Sequence, residues 1–310
     1  MTELIAVLKG HESVVQALVI HPNGGHIVSA SDDHSLRIWD PATYQCIAVL
    51  QGHTNWVRAL GILPNGHIVS GSNDHTLRIW DPAAEACISV LRGYTYCVNT
   101  LAILPNGHIV SGSDDISIRI WDPVAEACIS VLRGHTDSVN TLAILPNGHI
   151  VSGSADRSIR IWNPATKECI AVLQGHTDWV WALAIHPDGY IVSGSADYSL
   201  RIWDLNHPID KCIAVLKGHT NLVWTLAILP NGYIVSGSYN NSLRIWDLNH
   251  PIDKCIAVLQ GHTNWYVRAL AIHPNGYIVS GSCDCSICIW DGSPYIEYDD
   301  DDDECKAAIN

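Results

Sequence analysis

The side chains that could do chemistry together are a histidine, a serine and an aspartate at fixed spacing. His53, Ser70 and Asp74 form one such trio, and His176, Ser193 and Asp197 repeat it. An imidazole able to bridge a hydroxyl and a carboxylate is what a serine hydrolase needs to activate its nucleophile. The repetition argues against that reading. The same trio returns as His11, Ser29 and Asp33, as His135, Ser152 and Asp156, and as His262, Ser280 and Asp284. A nucleophile and its base are needed once, in one cleft; a trio that recurs along the chain belongs to a repeated structural unit. Each Asp is followed six residues later by a Trp (Trp39, Trp80, Trp162, Trp203, Trp290), which ties the trio to an indole. No unrepeated catalytic constellation or phosphate-binding loop stands beside it, so an enzyme is not expected.

Cysteine offers a second chemistry. Cys283, Cys285 and Cys288 cluster near the end of the last unit, where Cys288 replaces the Arg found at this slot elsewhere (Arg37, Arg78, Arg119, Arg160, Arg201, Arg244). Thiolates could hold a metal, but no fourth ligand is evident and strand pleating would separate the three. Neither metal nor cofactor is expected. Cys46, Cys87, Cys128, Cys169, Cys212 and Cys255 share one slot of the repeat and read as small apolar fillers too far apart for disulfides. An odd total of 11 cysteines, with no secretory signal at Met1–Lys9, predicts a reducing, intracellular, cytoplasmic setting.

The elements that position these groups follow from the repeat. Gly-His pairs at residues 10, 52, 134, 175, 218 and 261, with Gly93-Tyr94 in the remaining slot, lie 41 to 43 residues apart. In the second unit, Trp56–Leu63 reads as an apolar strand and Pro64-Asn65-Gly66 as a turn. Ile68–Ser72, Thr76–Trp80 and Cys87–Leu91 follow as strands separated by the turns at Asn73–His75 and Asp81-Pro82. Four short strands per unit predict an all-β fold. They are apolar on both faces, as expected for sheets sandwiched between neighbours. Hydrophobic residues make up 47% of the chain and charged residues 15%, which excludes a disordered chain and leaves ample core. No apolar run is long enough to be a membrane helix.

With seven Gly-His/Tyr and Trp-Asp/Asn units in register, residues 2–291 resemble the WD40-repeat (G-beta-like) family. The resemblance implies a seven-bladed β-propeller of four-stranded antiparallel blades. Within 1–291 only six fourth strands follow their units; the missing copy is at the other end, where Leu4–His11 matches Cys212–His219. Residues 4–8 are therefore expected to complete blade seven and remove open sheet edges. Residues 1–291 form the propeller, and 292–310, with the acidic run Asp299–Glu304, form a tail expected to be disordered. The resemblance also implies a buried network through His53, Ser70, Asp74 and Trp80, and likewise through His176, Ser193, Asp197 and Trp203. Tyr94 in the third unit and Asn240 in the sixth depart from it, and weaker networks are expected there. The remaining histidines (His21, His186, His273; His26, His67, His108, His149) read as exposed turn residues.

Positions that vary between units are free to carry specificity. They lie three and five residues after the Gly-His histidine and just before the turn Asp, which in this family surround the channel on the top face. Five of the 12 tryptophans are not Trp-Asp/Asn residues, and all five, Trp56, Trp179, Trp181, Trp224 and Trp265, fall there. Arg58, Arg268, Tyr239 and Tyr266 join them; the last unit has one extra residue, read as Tyr266. Trp, Tyr and Arg are the residues that dominate binding at protein interfaces. The expected function is a scaffold or adaptor in a multiprotein complex. Its top face would bind a protein or peptide with an apolar or cationic anchor, and the propeller itself would be monomeric. A substrate-recognition module of a ubiquitin-pathway assembly is the alternative. Single-stranded nucleic-acid binding on the aromatics is weaker, because a net charge of −14 lacks the basic groove it needs.

Overall fold

The computed structural model describes residues 4–207, 211–249, 254–262 and 266–295. These form seven four-stranded antiparallel sheets. The first complete blade consists of β2 (Val15–Ile20), β3 (Ile27–Ser31), β4 (Ser35–Trp39) and β5 (Cys46–Gln51), and the next five repeat it. β1 (Leu4–Lys9) pairs with Ser286–Trp290, Leu8 opposite Ile287, and completes the seventh blade. Turn chemistry sets the strand lengths: Pro64-Asn65-Gly66 reverses the chain with Gly66 at φ 88°, and the Gly66 N–H donates to Leu63 O at 2.8 Å.

The core lies between blades rather than within them. Val28, Leu36, Ile38 and Leu50 of the first blade pack against Val57, Leu60, Ile68 and Trp80 of the second, and seven such clusters close the ring. Each fully buried aliphatic contributes about 1.5–3 kcal/mol, so no blade has a sufficient core of its own. The approach is close: a Cβ on Gly153 would lie 2.6 Å from Val180 Cγ1 of the next blade.

Two expectations about the strands change. The outer strands are not buried on both faces; in β5, Ile47 and Val49 are exposed while Leu50 is buried, because no neighbouring blade reaches the rim. For the same reason closure by β1 covers one edge only, and the outer strand of each blade keeps its own free edge. Among the described residues no helix is long and apolar enough to cross a membrane.

His21, His186 and His273 are not free turn residues. His21 and His186 are buried, and each of the three places Nε2 at 2.8–2.9 Å from a glycine carbonyl of the following blade: Gly66, Gly232 and Gly25 respectively. The turn folds back on its neighbour, so the imidazole latches two blades. His26, His67, His108 and His149 are half-buried.

Candidate functional site

The repeated trio is a rivet within each blade. His53 Nδ1 lies 2.7 Å from Asp74 Oδ2 and its Nε2 lies 2.7 Å from Ser70 Oγ, which accepts the Trp80 indole N–H at 2.8 Å. His176, Asp197, Ser193 and Trp203 match it at 2.8, 2.7 and 2.8 Å. Burial pushes the Asp74 and Asp197 carboxyls up. Hydrogen bonds from the imidazole and from Thr76 or Ser199 outweigh it and hold both well below the usual carboxylate range. Ser70 and Ser193 are fully buried, each held between an imidazole nitrogen and an indole N–H, so neither faces a substrate.

Two blades solve the problem differently. In the third, Tyr94 Oη takes the place of the imidazole, 2.7 Å from Ser111 Oγ. The freed Asp115 pairs instead with Arg119 at 3.0 Å, and Arg119 stacks over Tyr94. That network is re-partnered rather than simply weaker. In the sixth, His219 Nε2 meets Ser236 Oγ at 2.6 Å, but Nδ1 is buried without a partner. The Asn240 amide turns to Thr220 Oγ1 instead, because an NH2 group cannot accept from the ring.

The candidate binding site is set by a β-bulge. In every blade the pairing between the inner and second strands skips one residue, as between Val57 and Ala59. The skipped residues are Gln16, Arg58, Asn99, Asn140, Trp181, Trp224 and Arg268. A bulge re-aims the extra side chain out of the ladder, and all seven line one central cavity of about 330 Å³.

The bulge also resolves the last unit. Val267 pairs with Ser282 and Ala269 with Gly281, so Arg268 is the counterpart of Arg58. The Cys283 N–H donates to Tyr266 O at 3.1 Å, as Asn73 N–H donates to Trp56 O. Tyr266 is thus the counterpart of Trp56 and not the extra residue; the surplus lies within 263–265. Trp265 lies outside the described residues, as do residues 296–310.

Within the cavity Trp181 and Trp224 stack at 4.2 Å with an 18° interplanar angle, and Trp179 meets Trp181 edge-on at 5.7 Å. The Arg268 guanidinium lies 3.8 Å from the Trp224 ring centre. Tyr239 and Tyr266 stack beside them, and Arg58 lies 5.6 Å from Trp56. Trp56 and Trp179 are the most open of these aromatics, at 43% and 46% exposed. Part of the aromatic set is therefore committed to packing on itself. On the polar side, Gln16 Nε2 donates to both Asp32 oxygens at 2.9 and 3.0 Å, and Asn99 Nδ2 donates to Asp114 at 2.6 Å. Burial pushes the Asp32 carboxyl up, against Gln16 and the positive charges of Arg268 and Arg58.

Cys283 and Cys285 are half-buried and Cys288 is buried, its sulfur 3.6 Å from His262 Nδ1. Burial pushes all three thiols up, Cys288 to about 12, which disfavours the thiolates a metal needs. No group of three or more His, Cys, Asp or Glu among the described residues could hold a metal ion. The bulge residues were legible from sequence as variable slots; the His latches were not, because a histidine in a Pro-Asn-Gly-type turn carries no signal of what it faces.

Comparison with known proteins agrees with this geometry. The chain is 42% identical over 62 residues to the nuclear distribution protein PAC1 of Scheffersomyces stipitis, covering 18% of this chain and 12% of that protein. It is 43% identical over 70 residues to PAC1 of Arthroderma otae (20% and 15%) and 46% identical over 54 residues to nuclear distribution protein nudF 1 of Talaromyces marneffei (17% and 12%). These matches span about one-eighth to one-seventh of the relatives' own length, hence one to two repeats. The model of the WD domain, G-beta repeat, matches residues 2–40, 44–81, 85–122, 126–163, 167–204, 210–247 and 253–291. The chain therefore belongs to the WD40 repeat family, whose propellers generally act as scaffolds for protein interaction.

Proposed function

We propose that this propeller binds a peptide or protein segment at the channel mouth formed by the seven bulge residues, as a scaffold or adaptor subunit. The observation that carries the reading is the distribution of aromatics. Apart from the Trp-Asp/Asn residues, the described tryptophans are Trp179, Trp181 and Trp224, which line this cavity, and Trp56 beside its Arg58, and Trp56 and Trp179 leave large apolar faces in solvent. Exposed Trp beside Arg is the composition of an interface hot spot. The cavity suits one or two inserted side chains. A likeness to nuclear distribution proteins over one to two repeats supports a shared repeat, not a shared partner.

The test is selection of a displayed random-peptide library on the full chain. Selected peptides are expected to lose about tenfold or more in affinity on Trp179→Ala, and on Trp181→Ala combined with Trp224→Ala. Each variant is checked for an intact thermal transition. Peptides that bind all variants as they bind the wild type would place the site elsewhere.

A further inference from the structure

We propose that the ligand anchor at this mouth is a carboxylate: Arg58 and Arg268 together receive an acidic side chain of the bound peptide. The inference rests on the binding site proposed above and names the chemistry it recognises.

The aromatic side does not hold an empty cation slot. A ring has two faces. One face of Trp224 is stacked on Trp181, and a guanidinium 3.8 Å from the ring centre must occupy the other. The chain thus supplies its own cation in cis, and a ligand cation would compete with it and meet like charge. The guanidinium packs over the indole, and its planar fork of donors is rigid.

The acidic residues nearby are already engaged. Both Asp32 oxygens accept from Gln16, and Asp114 accepts from Asn99. Arg58 and Arg268 stand at the bulges of the two blades that flank the first and line the same cavity, and the charges of both reach Asp32 between them. Among the described residues neither arginine forms an ion pair with a carboxylate; the one arginine that does is Arg119, with Asp115. Two guanidinium groups on one cavity, neither of them in an ion pair, offer the planar forks of donors that suit the two oxygens of an incoming carboxylate. An apolar residue next to the acidic one would lie against Trp179.

The same library decides it. Enriched peptides are expected to share an Asp or Glu. A synthetic peptide from the selection, followed by fluorescence polarisation, is expected to lose about 30-fold in affinity on Arg268→Gln and on Arg58→Gln. Arg268→Lys, which keeps charge but not the fork, should also weaken it. If Arg268→Gln disturbs folding, Arg58→Gln alone decides, since Arg58 does not stack on Trp224. Peptides that depend on Trp179 but are basic or neutral would overturn the carboxylate assignment and leave the site standing. So would acidic peptides indifferent to both arginine variants. Competition by inorganic phosphate or a single-stranded oligonucleotide as strong as by the peptide would replace it with a general anion site. Selection of no Trp179-dependent peptide would remove the binding site and this inference with it.

Discussion

Asn240→Asp should stabilise the protein. In the second blade Asp74 Oδ1 accepts from Thr76 N and Oγ1, while Oδ2 accepts from His53 Nδ1 and the Thr54 N–H. In the sixth, Asn240 Oδ1 still serves Ser242, but its NH2 stands where the second oxygen belongs. His219 Nδ1 is left orphaned, and only the bond to Thr220 Oγ1 is gained. Restoring the carboxylate adds a charge-assisted bond to a buried ring, worth about 1.5–3 kcal/mol. It loses one exposed bond worth about 0.5–1 kcal/mol, for a net gain of about 1.5 kcal/mol. With an unfolding entropy of roughly 0.6 kcal/mol per kelvin for a propeller of this size, Tm should rise by about 2.5 °C.

The gain should depend on pH. Burial, and after it the charge of Arg244, pushes His219 down to about 3. That is below the unfolded value of about 6.5, so the folded ring binds fewer protons than the unfolded one. The stability it contributes is whole above about pH 6.5 and is lost as pH falls toward about 3. A carboxylate at 240 lets the ring charge in place, so the advantage of the variant should widen from about pH 7 to about pH 5. Calorimetry at both values tests this, with Asp197→Asn as the mirror-image change in the fifth blade. An unchanged or lower Tm for Asn240→Asp, together with no loss for Asp197→Asn, would refute the account of the network.

Two further outcomes concern the ring. Deleting residues 1–8 strips β1 from the edge of Ser286–Trp290 and uncovers a cluster containing Trp39 and Ile289, so light scattering should report aggregation; a monomer with an unchanged Tm would count against closure by β1. Tyr94→Phe removes a buried hydroxyl bonded to Ser111 Oγ and O at 2.7 and 2.9 Å and should cost about 1–2 kcal/mol in a denaturant titration. No change would mean that Ser111 is satisfied without it.

Much of this was readable from residues because the repeat is local chemistry. Turns, strand lengths and the Trp-Asp register depend on neighbours within about ten residues, and the displaced strand at Leu4–Lys9 betrays itself by matching Cys212–Lys217. The variable slots also marked the channel, since a position whose residue type changes from blade to blade is not needed to build one. What the linear pattern could not decide was how side chains from different blades meet. That Trp181 lies against Trp224, that Arg268 covers the remaining indole face, and that His21 reaches the carbonyl of Gly66 are contacts made across blade interfaces. Nor could it place the surplus residue of the last unit, because alignment by spacing treats neighbouring positions alike. The ladder distinguishes them: one backbone bond, from Cys283 N–H to Tyr266 O, assigns Tyr266 its slot and Arg268 the bulge. The sequence alone determined a ring of seven closed blades with a variable mouth; only the tertiary structure decided which of that mouth's aromatics are occupied by the chain itself.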